Sequence, residues 1–175
     1  MKIEFKTVRY KNLLSSGNSW TTIPLNNNRT TLISGTNGSG KSTLLDAIVF
    51  GLYGKAFRKI NKNQLINSIN GRDTLVEIEF QIGQNKYMVR RGIKPVVFEI
   101  WKNGEVINQD AASRDYQSYL EQNILNLNYK SFNQNEKTND FIIAIFIIFK
   151  HWGNDWSRNS FAVNRFEVFV RCQID

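Results

Sequence analysis

Cysteine and histidine each occur once in these 175 residues, and proline twice. A lone Cys172 excludes an internal disulfide and suits a reducing compartment. With His151 as its only companion, a Cys/His metal constellation has too few ligands. Apolar runs are short: Phe141 to Phe149 covers nine residues, about half of what a membrane-spanning helix requires. Met1 to Tyr10 alternates charged and apolar residues, unlike a secretory leader. Heptads and internal repeats are missing too. These absences predict a cytoplasmic protein with no membrane partner. Acidic residues are scarce in one part only. Residues 1–134 hold 10 Asp/Glu against 18 Lys/Arg and so carry the whole +8, whereas residues 135–175 hold 5 of each. A basic surface suits a polyanion such as nucleic acid, or is simply the solvated face of a basic protein.

What is present is a phosphate-binding pattern. Gly35-Thr36-Asn37-Gly38-Ser39-Gly40-Lys41-Ser42 follows the apolar run Thr31-Leu32-Ile33-Ser34 and opens a stretch that reads as a helix from Ser42 to Leu52. Strand, glycine loop and helix in this order are the context in which G-x-x-x-x-G-K-[ST] binds a nucleoside triphosphate. Glycines let backbone N–H groups turn toward the phosphates, and the helix N-terminus adds its positive dipole end. Lys41 is placed to reach the β- and γ-phosphates, and the Ser42 hydroxyl to sit on Mg²⁺.

Around the loop, Ile3, Phe5 and Val8-Arg9-Tyr10 read as an opening strand, Asn12 to Trp20 as a polar loop, and Thr21 to Pro24 as a short second strand. Leu44, Leu45, Ile48 and Leu52 recur at helical spacing, which predicts one apolar face turned to a sheet. A basic connector follows, with Lys55, Arg58, Lys59 and Lys62 as candidate contacts to nucleic-acid phosphates or as an ordinary solvated face. The period then changes to two: Val76, Ile78, Phe80 and Ile82 alternate with Glu77, Glu79 and Gln81. Further strands are predicted at Lys86 to Arg91 and Val97 to Trp101, with Asn103-Gly104 turning the chain into Glu105-Val106-Ile107. Ala111 to Gln122 reads as helical.

The block Asn37 to Ile48, its position near the N-terminus behind a short hairpin, and the later strands Val76 to Phe80 and Tyr87 to Arg91 resemble the SMC-like, ABC-type DNA-repair ATPases of SbcC type. Ile124 to Phe132 is most similar to the branch formed by the large subunits of T-even phage recombination endonucleases. The resemblance covers residues 1–134. It implies an α/β P-loop NTPase fold, the N-terminal lobe of an ABC/SMC-type head, with an antiparallel β layer beside the phosphate-loop helix. It further implies that Gly35, Asn37, Gly38, Ser39, Gly40, Lys41, Ser42 and Thr43 contact ATP and Mg²⁺. Asn12 and Ser15-Ser16 would lie where the family's opening hairpin approaches the nucleotide. The implied partners are double-stranded DNA, a nuclease subunit, the protein's own C-terminal lobe and a second head. The implied location is the cytoplasm, the host's if the gene is a phage's.

Beyond Gln134 the family pattern stops. Gln134 lies several residues too early for the catalytic-loop glutamine, and Asp140 precedes its apolar run where a Walker B carboxylate would end one. Catalytic residues are therefore unassigned. The expected division is an ATPase lobe over 1–134 and a divergent tail over 135–175, produced by a frameshift or read-through. The competing expectation is a short variant in which Phe141 to Phe149 supplies a buried strand. An incomplete head would bind ATP without turning it over. The rival functions are a stand-alone basic nucleic-acid-binding module and a small P-loop kinase, the latter opposed by the lack of β/α alternation.

Overall fold

A computed structural model describes residues 3–27, 30–36, 38–107, 116–129, 146–147 and 165–171. Strands β1 (Ile3–Lys11), β2 (Thr21–Pro24) and β3 (Thr30–Thr36) precede helix α1 (Lys41–Tyr53). Then come a single 3₁₀ turn (Lys62–Leu65) and strands β4 (Thr74–Ile82), β5 (Asn85–Ile93), β6 (Val97–Lys102) and β7 (Glu105–Val106). A short helical segment α2 (Tyr116–Ser118) runs into a π-helix (Tyr119–Ile124), and strands β8 (Phe146–Ile147) and β9 (Arg165–Arg171) complete the described elements.

The alternating strands assemble as the sequence predicts. One antiparallel sheet has the order β2-β1-β4-β5-β6-β7. In β4, Val76, Ile78 and Phe80 turn inward and are buried, joined by Ile3, Phe5, Val8 and Tyr10 of β1 and by Val89 and Ile100. The step of three between Phe5 and Val8 is a β-bulge: the register against β4 shifts between Phe5 and Thr7, so that Val8 faces the core again. Asn103 and Gly104 both have positive φ (52° and 90°), as the β6–β7 hairpin turn demands.

The outer face holds a cross-strand charge ladder. Arg9 of β1 stands opposite Glu77 of β4, Glu77 opposite Arg90 of β5, and Arg90 opposite Glu99 of β6. Arg9 donates to one Glu77 oxygen and Arg90 to the other, and Arg90 also bridges to Glu99 at 3.3 Å. The period places Glu77 on the solvated side, yet its side chain is 1% exposed because the two guanidiniums cover it.

The phosphate-loop helix departs from the one-faced pattern. Every residue of α1 except Ser42 is buried. It packs on β4, β5 and β1 and also meets β3, so Ala47, Val49 and Phe50 fill the sides that the Leu44/Leu45/Ile48/Leu52 stripe leaves. Gly51 permits the closest approach: a Cβ there would stand 2.4 Å from Ile78 Cδ1.

Strand β3, which leads into the phosphate loop, pairs antiparallel with β9 from Thr30↔Arg171 to Thr36↔Arg165, in a second sheet of order β3-β9-β8. Of the expected buried strand at Phe141 to Phe149, Phe146–Ile147 is β8 and pairs with β9; the remainder lies outside the described residues. Among the described residues, no helix is long and apolar enough to cross a membrane.

Candidate functional site: the phosphate loop

Gly35 sits in β3, one residue before the strand ends at Thr36. Gly38 (φ 85°) and Gly40 (φ 91°) are both in the left-handed region, Gly40 as the N-cap of α1. A Cβ at either would meet nothing within 4 Å, so the requirement for glycine is the backbone conformation and not crowding. Ser39 N–H closes the turn onto Thr36 O at 3.2 Å. Asn37 lies outside the described residues.

Lys41 opens the helix, buried to 8% exposure, and its Nζ donates to Thr36 O at 2.7 Å and to Ser39 Oγ at 3.3 Å. Through these two bonds the ammonium closes back over its own loop. Phosphate oxygens offer stronger, charge-assisted bonds to the same donor. Ser42 is exposed on the first helical turn and Thr43 is buried beside it. The first turn of an α-helix has N–H groups without intrahelical acceptors, and none of its residues is acidic. Positive-φ glycines, a lysine and an accessible hydroxyl at one helix end fit a phosphate group with its Mg²⁺. The described residues contain no cluster of three or more His, Cys, Asp or Glu that could hold a metal ion by itself.

One helical turn beyond Ser42 is a residue the periodicity reading missed. Asp46 is 0% exposed and accepts from Phe57 N–H (3.0 Å), Arg58 N–H (3.3 Å), and Arg58 Nε and Nη2 (each 2.6 Å). An acidic residue inside an apolar helical run was the available signal, because burial of a carboxylate requires a cation and donors. Through Asp46 the basic connector is fastened to α1.

The four connector cations line a groove of about 660 Å³ that also reaches Tyr129. All four are exposed. Lys55 Nζ lies 4.4 Å from the Tyr129 ring centroid, and Lys62 Nζ lies 5.7 Å from that of Phe50. Partial burial, then the charge of Arg91, lowers the Lys62 pKa from its ordinary value. Arg58 is held by Asp46, whereas Lys59 extends from the same rim.

The opening hairpin is bonded to a neighbouring loop. Asn12 is 1% exposed with φ 51°, donates to Asn18 Oδ1 (3.0 Å) and Asp73 O (3.3 Å), and accepts from Asn70 Nδ2 (2.7 Å). Ser16 Oγ bonds within its own turn, to Leu13. Asn67 binds Leu14 O and Ser16 O, so this asparagine cluster pins the hairpin loop to the 67–74 loop.

A family model described as an AAA domain matches residues 7–171. The chain belongs to the AAA domain family. Exonuclease subunit 2 of Enterobacteria phage T4 is 48% identical to this AAA chain over 127 residues, and that of Escherichia phage RB69 46% over 127 residues. Each match takes 73% of this chain and spans 22% of the relative's length. The DNA double-strand break repair Rad50 ATPase of Thermococcus kodakarensis is 44% identical over 62 residues, 35% of this chain and 7% of that protein. A solved structure from work on ATP-driven dimerization and DNA-stimulated activation of SMC ATPases superposes with a TM-score of 0.54 at 23% identity, over 74% of this chain and 84% of its own. The AAA chain thus shares its α/β fold with that structure, an antiparallel sheet lying beside the glycine loop and α1.

Proposed function

We propose that this lobe binds ATP with Mg²⁺ as the N-terminal half of a DNA repair and recombination ATPase that regulates a partner nuclease on DNA ends, in the host cytoplasm. The observation that carries the reading is Lys41, turned onto Thr36 O behind two positive-φ glycines at the start of a buried helix. On this reading Lys41 leaves Thr36 O for the β- and γ-phosphates, Gly38 to Thr43 supply backbone donors, and Ser42 Oγ holds the metal. Mg²⁺ supplies charge neutralisation at the bridging phosphate oxygens. Asn37 belongs to the same loop.

Turnover draws on groups from a second lobe and a second head. On this reading residues 1–134 form the lobe and residues 135–175 a divergent tail, although the tail's β9 pairs with β3 and the family match extends to residue 171. The groove is the DNA contact: Lys55, Lys59 and Lys62 meet backbone phosphates, with Arg58 in their midst anchored to Asp46. Binding a fluorescent duplex across a salt series, with and without ATP–Mg²⁺, tests the proposal. Exchange of Lys55, Lys59 and Lys62 for glutamine lowers the log–log salt slope by about one per lysine, and ATP strengthens binding. An unchanged slope removes the groove. Binding indifferent to both ATP and Lys41→Ala favours the stand-alone nucleic-acid module, to which the basic groove also lends itself.

A further inference from the structure

The far end of α1 is held as deliberately as the near end is opened. Helix C-termini present carbonyls without intrahelical donors. Here Gly51 O accepts from Arg91 Nε at 3.0 Å, and Leu52 O accepts from Gln117 Nε2 at 3.0 Å. Arg91 Nη2 donates to Gln117 Oε1 at 2.6 Å, and Gln117 Nε2 donates to Glu121 Oε1 at 2.7 Å. The other Glu121 oxygen accepts from Tyr129 N–H at 3.1 Å. Arg91 itself is fixed in β5, with its guanidinium 3.6 Å from the Phe98 ring centroid. Gln117 hydrogen-bonds to α1, to Arg91 and to the 119–124 segment together.

That segment has an uncommon geometry. Tyr119–Ile124 is π-helical, and Leu125 N–H bonds back five residues to Leu120 O at 2.9 Å. Six residues of π-helix are rare, and conversion to the α register needs only a shift of each bond by one residue. A two-state element of this kind is what transmission of a signal requires. The α1 helix has 13 residues and is about 20 Å long. All of its residues but Ser42 are buried.

We propose that Gln117 is a positioning residue that couples α1 to the π-helical segment, so that nucleotide captured at Lys41 resets Tyr119–Ile124. The proposal rests on nucleotide binding at the phosphate loop. Lys41 exchanges Thr36 O for phosphate, α1 shifts along its axis, and Leu52 O carries Gln117, Glu121 and the amide of Tyr129 with it.

Hydrogen exchange of the full chain, measured by mass spectrometry with and without a non-hydrolysable ATP analogue and Mg²⁺, tests this. Nucleotide binding is measured separately by calorimetry on the same samples. In the wild type, amides of 119–129 change exchange rate by at least about tenfold on nucleotide addition. Gln117→Leu keeps nucleotide affinity within about threefold but loses the change at 119–129. If Gln117→Leu does not fold, Gln117→Glu serves, since it keeps the acceptor for Arg91 and drops the donor to Leu52 O. A structural role alone would lower the unfolding temperature and leave the nucleotide response in place, which overturns the proposal. A wild type that binds nucleotide without any change at 119–129 overturns it as well. Absence of nucleotide binding overturns both this proposal and the one it rests on.

Discussion

Asp46 and Arg58 close an ion pair on the buried flank of the phosphate-loop helix, with Arg58 Nη2 2.6 Å from an Asp46 oxygen and the carboxylate wholly enclosed. The aspartate has no route to water, while the arginine side chain is 42% exposed. Truncating either partner is therefore unequal. Asp46→Ala leaves two backbone N–H groups and a guanidinium without their acceptor, and lowers unfolding free energy by about 3 kcal/mol. Arg58→Gln costs about 2 kcal/mol, because water enters where the guanidinium stood. The double variant loses less than the sum of the two, as urea unfolding measures.

Glu77 gives a second test of buried charge. It lies between Arg9 and Arg90 and is nearly inaccessible, while Glu79 on the same face is exposed. Glu77→Gln costs about 2 kcal/mol in urea unfolding, whereas Glu79→Gln stays within about 0.5 kcal/mol. Equal effects would contradict the ladder.

Gly51→Ala introduces a methyl 2.4 Å from Ile78 Cδ1. Alanine is the better helix former by about 1 kcal/mol, so only the steric conflict can make the exchange unfavourable. The variant is destabilised by about 1–2 kcal/mol net, and Ile78→Val, which removes Cδ1, restores part of the loss. A stabilised Gly51→Ala would mean that the helix stands farther from β4.

Alkaline stability follows from the tyrosines. Burial, then the charge of Glu121, holds the Tyr53 phenol far above its ordinary pKa of 10.0, and burial also raises Tyr10 and Tyr116. The unfolded chain releases these protons near pH 10 while the folded one retains them, so stability is fully present below pH 10 and falls above it. Arg91 acts in the opposite sense, since burial brings it down to about 10 and the folded state releases its proton first. Three phenols outweigh one guanidinium. Tyr53→Phe flattens the fall by about 1.4 kcal/mol per pH unit above pH 10, read from unfolding midpoints at successive pH values.

Much of this was legible in the chain. Alternation located β1, β4, β5 and β6, Asn103-Gly104 located the hairpin turn, and the glycine pattern located the turn into α1. The unread parts are those where a residue's role depends on a distant neighbour. Glu77 reads as solvated until Arg9 and Arg90 flank it. The burial of α1 on every side needs β3 as well as the large sheet. Asn12 reads as a polar loop residue, and its role as a pin is visible only when Asn70 and Asp73 arrive from 58 and 61 residues away. The π geometry after Gln117 leaves no periodic trace that an α-helix would not also leave.

On the proposed function, Lys41 and its loop hold a nucleoside triphosphate. The most direct measurement is titration of the chain with a fluorescent ATP analogue in Mg²⁺, beside Lys41→Ala at matched folded fraction. Loss of a charge-assisted bond to phosphate weakens binding by about tenfold to a hundredfold, and unlabelled ATP displaces the analogue from the wild type. Equal binding by the two proteins, or none by the wild type, would contradict the account.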